Sequence, residues 1–96
     1  MRRWLAALAF VPALAWGDCM SSDAQQTFTG MALDIQAAVV RGVDERRLLE
    51  PAARIEHDGL RAATYEAVLR LSGPNPLSLS AVVAAMQIEC HAAMNR

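Results

Sequence analysis

From Ser22 to the last residues, apolar positions recur every three or four residues, the period of an α-helix packed on one side. Ala24, Phe28, Met31, Ile35, Ala38 and Val39 form the first stripe. Ser22 and Gln25 open it as a capping box, in which the serine oxygen takes a free backbone N–H and the glutamine reaches back. Arg41-Gly42 closes it with a cation and a residue suited to a left-handed stop, predicting a helix over 23–41. Asp44 caps a second segment in which Leu48, Ala52 and Ile55 share a face, predicting a helix over 45–56 bent at Pro51. Asp58-Gly59 then reads as a break. Leu60, Ala63, Ala67, Val68 and Leu71 make a third stripe, stopped by Ser72-Gly73-Pro74. Ser78 or Ser80 caps a last helix whose face is Leu79, Val83, Met86, Cys90 and Met94. No stretch alternates with period two, so the expected fold is all-α: a small antiparallel helical bundle of three to four helices.

The first residues follow a different logic. Met1-Arg2-Arg3 is a positive start, Trp4 to Val11 an apolar run, Pro12 a breaker, and Ala15 and Gly17 supply small side chains before a cut ahead of Asp18. Residues 1–17 are expected to be a cleaved signal peptide and 18–96 a single helical domain. A membrane span needs roughly 20 apolar residues, more than the run holds, so no span is expected after cleavage. The expected location is the periplasm or the exterior.

Export changes the meaning of the two cysteines. Cys19 and Cys90 lie near opposite ends of the domain, and export exposes them to oxidation, so one disulfide between them is expected. With an up-down-up-down order of four helices, the start of the first and the end of the fourth meet at one end of the bundle. Three full-length helices would separate them.

Charge narrows the partners. Two of the nine basic residues, Arg2 and Arg3, lie in the leader, leaving seven arginines against ten acidic residues, a net charge of −3 with no lysine. No basic stripe is present to replace counterions on phosphates, so nucleic acid is not an expected ligand.

Chemistry-bearing residues are few. Cys19-Met20, Met86, Cys90-His91 and Met94 hold thiols, an imidazole and thioethers, a soft ligand set that suits Cu(I) if the cysteines are reduced. Paired in a disulfide they cannot serve, and the methionines sit at core spacing, so neither metal nor cofactor is expected. His57-Asp58 beside Glu56 has the composition of an oriented general base, yet it falls where one helix ends and the next is capped. No phosphate loop, zinc spacing or nucleophile elbow is present, and an enzyme is not expected.

The expected function is binding of another exported protein, as inhibitors, immunity proteins and assembly factors do. The candidate surface is the second helix, where Arg46, Arg47, Leu49 and Arg54 surround Leu48 and Ile55 beside Pro51. An alternative comes from a resemblance. Tiny, helical, exported and held by the single pair Cys19 and Cys90, the chain resembles the acid-activated periplasmic chaperones of enteric bacteria. That resemblance, carried by the two cysteines alone, implies exposure of apolar surface when carboxylates are protonated. A copper-handling protein is the second alternative. The sequence leaves the oligomeric state open.

Overall fold

The computed structural model describes residues 18–75 and 77–96, which contain four helices and no strand. They are α1 (Ser22–Val40), α2 (Glu45–Ala52), α3 (Asp58–Ser72) and α4 (Leu79–Met94). The leader expected over 1–17 lies outside the described residues.

α1 buries the face that its stripe predicts, with Ala24, Phe28, Met31, Ala32, Ile35 and Ala38 inaccessible. Its cap differs by one residue. Ser21, not Ser22, holds the N-cap, its Oγ accepting from the Ala24 N–H at 3.1 Å, and Ser22 is the first helical residue. The cause lies upstream: a turn folds Asp18 to Ser21, with the Met20 N–H on Asp18 Oδ1 at 2.9 Å and the Ser21 N–H on the Asp18 carbonyl at 3.3 Å. The far end is a complete Schellman stop. Gly42, at φ +88°, donates to the Val39 carbonyl, and Val43 donates to that of Ala38.

α2 ends at Ala52, short of the bent helix expected to 56. Pro51 has no N–H to offer the Arg47 carbonyl, and the chain beyond it winds tighter, Arg54 bonding back to Pro51 and Ile55 to Ala52 at 3.1 Å each. Arg61 Nη1 takes the Ile55 carbonyl at 2.7 Å and that of Glu56 at 3.4 Å, so a side chain rather than a further helical turn satisfies them. Leu48 is wholly buried and pins α2 to the rest.

α3 starts two residues before its apolar stripe. His57 is the N-cap, its Nδ1 accepting from the Leu60 N–H at 3.1 Å, and Asp58-Gly59 are helical rather than a break. Gly59 is buried because α4 passes it closely: a Cβ there would fall 2.7 Å from Cys90 Sγ and 2.9 Å from Met94 Cγ. Buried Thr64 satisfies its hydroxyl on the Leu60 carbonyl at 2.7 Å. α4 is capped by Ser78 rather than Ser80 and buries Val82, Val83, Met86 and Cys90, while Met94, expected on the same face, is exposed.

These contacts fix the helix directions. Cys19 and Cys90 are joined, with S–S 2.01 Å and Cα–Cα 5.8 Å, so the start of α1 lies beside the end of α4. Gly59, at the start of α3, also meets the end of α4. α1 and α3 therefore both run opposite to α4. The 17 residues from Arg41 to His57, with α2 in their middle, carry the chain back between them. α1, α3 and α4 build the core, and α2 packs on α3.

Candidate partner-binding surface

On the surface expected on α2, the arginines point outward and the aliphatic residues lie wholly or partly inside. Arg46, Arg47 and Arg54 are exposed, and Arg54 Nη2 lies 3.4 Å from Glu50 Oε1, a solvated pair one turn away. Leu48 is inside the core, and Leu49 and Ile55 are partly buried against it. What remains outward is a ridge of charge whose aliphatic residues serve folding.

A better-formed depression lies between α3 and α4. This groove, about 410 Å³, is lined by Asp58, Arg61, Tyr65, Glu66 and Leu69 from one helix and by Glu89, Ala93 and Arg96 from the other side. It forms because both helices present alanine where they approach: Ala62 on α3 and Ala93 on α4 leave room that larger side chains would fill. Tyr65 and Leu69, one turn apart, stay 36% and 50% exposed, an aromatic and an aliphatic side chain left to water side by side.

Charge is ordered along this groove. Since α3 and α4 are antiparallel and Gly59 lies against Cys90 and Met94, Asp58, Arg61 and Arg96 share the end near the disulfide, Glu89 stands at mid-groove level with Ala62 and Tyr65, and Glu66 and Arg70 follow along α3. Arg61 Nη2 lies 2.5 Å from Asp58 Oδ1, and Arg70 Nε bonds Glu66 Oε2. The Arg70 guanidinium is held above its usual range, first by that hydrogen bond, then by the Glu66 charge, with Glu89 adding to it. Two charges of the groove lie outside these pairs: Arg96 at the disulfide end and Glu89 at mid-groove. Sequence periodicity reads Tyr65, Arg61 and Glu66 as an ordinary mixed face. The available signal is a second stripe, Ala62, Tyr65 and Leu69, running beside the buried one.

The disulfide corner gathers only part of the soft-ligand set. Cys19 and Cys90 are buried at 3% and 0% exposure, Met94 covers Gly59, and Met86 is in the core; Met20 and His91 are exposed. With the sulfurs bonded to each other, that set has no thiolate. No group of three or more His, Cys, Asp or Glu side chains stands at metal-binding distance among the described residues. His57 is occupied as a helix cap. Comparison of the chain with protein-family models, curated proteins and solved structures finds no match.

Proposed function

We propose that this chain is an exported, non-enzymatic protein that binds another exported protein, and that a segment of the partner docks in the groove between α3 and α4. The observation that carries the reading is the pairing of exposed Tyr65 and Leu69 in a groove edged with charge by Arg61, Arg96, Glu66 and Glu89. A few residues carry most of the energy of a protein interface, and tyrosine is among the types enriched there, at the centre of a polar rim. The complementary segment has an apolar centre, an acidic residue toward Arg61 and Arg96, and a basic residue toward Glu66 and Glu89. Export to the periplasm or exterior is supported by the leader pattern of residues 1–17 and by the buried disulfide, which persists where thiols are oxidised. No helix among the described residues is long and apolar enough to cross a membrane. A net charge of −3 beyond the leader speaks against a phosphate backbone as the ligand.

The test is native capture from the exported fraction at neutral pH. The chain is expressed from Met1 with an affinity tag between Gly17 and Asp18, so that Arg96 is left unmodified. One dominant protein near one to one supports the reading. An empty capture, together with suppression of aggregation of unrelated proteins only in acid, replaces it with the chaperone alternative.

A further inference from the structure

The side-chain caps of the described helices are not chemically alike. Ser21 and Ser78 accept through hydroxyls, which keep their form from acid to neutral pH, and Asp44 makes no side-chain bond at α2. α3 alone is capped by an imidazole, with His57 Nδ1 taking the Leu60 N–H at 3.1 Å. A backbone N–H can only donate, so Nδ1 must offer a lone pair, and the ring is neutral with its proton on Nε2. A proton added to Nδ1 turns the acceptor into a donor and removes the cap outright. It also sets a positive charge at the positive end of the α3 dipole.

The first turn of α3 holds more than its own helix. The His57 carbonyl accepts from the Arg61 N–H at 2.9 Å, and the Arg61 guanidinium ties the same turn to the Ile55 and Glu56 carbonyls and to Asp58. Gly59 and Leu60 are buried, Gly59 against Cys90 and Met94, while Asp58 and Arg61 line the groove. The charged and titratable groups at this end of the bundle come from every element. Arg54, paired with Glu50, and Glu56 precede His57; Asp58 and Arg61 follow it in α3; His91 and Arg96 stand at the end of α4, and Asp18 and Asp23 at the start of α1. Carboxylates titrate near pH 4 and arginine above about 12, so between about pH 5 and 8 the side chains that change charge are the two histidines. Glu56 and Asp58 attract a protonated ring, but as sequence neighbours they do so in the unfolded chain as well, and their pull largely cancels. The Leu60 bond exists only in the fold.

We infer that His57 is a pH-sensitive latch on the start of α3, closed while its ring is neutral and released when the ring is protonated. The folded chain has to give up the Leu60 bond to take up this proton and the unfolded chain does not, so folding opposes protonation. The contribution of the latch is therefore complete in neutral and alkaline solution, and it is lost as pH falls through the ordinary histidine range near about 6.5. Release frees the turn that carries Asp58 and Arg61, so the disulfide end of the groove loosens in mild acid. The latch is read from the α3 cap alone and does not depend on a partner docking in the groove.

The experiment is urea unfolding of the protein expressed from Met1, at about pH 7.5 and about pH 5.5 on either side of that range, in wild type, His57→Asn and His91→Asn. Asparagine is among the best N-cap residues and does not titrate in this window. Loss of a cap shifts a folding equilibrium by about fivefold. On acidification, the unfolding constants of wild type and of His91→Asn are expected to rise about fivefold more than that of His57→Asn. Groups that titrate in all three chains, including an α-amino group exposed by cleavage ahead of Asp18, drop out of the comparison. Solvent-exchange NMR on the wild type reads the latch directly. Corrected for the intrinsic rate at each pH, the Leu60 amide loses protection in acid, while the Ala24 amide on Ser21 Oγ keeps it. A wild type that responds to pH as His57→Asn does overturns the inference, and so does a Leu60 amide equally protected at both pH values.

Discussion

Replacing Gly59 with alanine tests the closeness of α3 and α4 at the disulfide. The added Cβ would stand 2.7 Å from Cys90 Sγ, 2.9 Å from Met94 Cγ and 3.1 Å from Met94 Sδ. Met94 is 46% exposed and can swing aside, but Cys90 is fully buried and tethered to Cys19, so its sulfur can retreat only if α4 moves. Overpacking of this kind costs about 1–3 kcal/mol. The intrinsic gain of alanine over glycine in a helix, about 1 kcal/mol in the interior, is smaller at the second position of α3, where few helical bonds are yet made. The net expectation is a loss of about 1–2 kcal/mol, or roughly 5–12 °C in Tm for a domain of this size. Gly30→Ala is the internal control: exposed in mid-α1 with nothing within 4 Å of the new Cβ, it should gain about 0.5–1 kcal/mol. Thermal melts followed by circular dichroism give both values. Equal stabilisation by the two substitutions would refute the close approach and, with it, the direction assigned to α3.

Three further perturbations follow from the same packing. Replacing both Cys19 and Cys90 with alanine reopens a loop closed over 71 residues and should cost about 4 kcal/mol in urea unfolding, comparable with a small domain's whole margin. Ser21→Ala should lose about 1 kcal/mol while Ser22→Ala changes stability by less than half that; the reverse order would return the cap to the position periodicity suggests. Leu48→Ala should cost about 2–5 kcal/mol, whereas Arg46→Ala and Arg47→Ala should each stay within about 0.5 kcal/mol, since Leu48 is core and the arginines are solvated.

Features decided within a few residues were legible before the structure. The stripe of α1 and its stop at Gly42 depend on helical period and on the tolerance of glycine for positive φ, and both stand as read. The pairing of Cys19 with Cys90 also stands, and with it the meeting of the start of α1 and the end of α4. Asp58-Gly59 was misleading for a physical reason: the pair is a common turn signal, and only the passage of Cys90, 31 positions later, explains a glycine inside a helix. Pro51 reads as a bend in a helix running to 56, but the helix ends at Ala52, and the Arg61 guanidinium on the Ile55 and Glu56 carbonyls goes with that ending. On α2, periodicity shows that Leu48 and Ile55 share a face but not which way the face turns. The groove was hidden for a related reason. Tyr65, Leu69, Glu89 and Arg96 belong to two helices, and nothing local says that Ala62 and Ala93 leave a trough between them.

The central claim, that Tyr65 and Leu69 anchor a partner segment, is tested most directly by calorimetric titration of the captured partner into the wild-type chain and into Tyr65→Ala. Loss of a central aromatic anchor costs about 2 kcal/mol or more, a fall of roughly thirtyfold in affinity, with the Arg46→Ala and Arg47→Ala variants binding as tightly as wild type. Unchanged affinity for Tyr65→Ala alongside weakened binding by the α2 arginine variants would contradict the account and return the interface to α2.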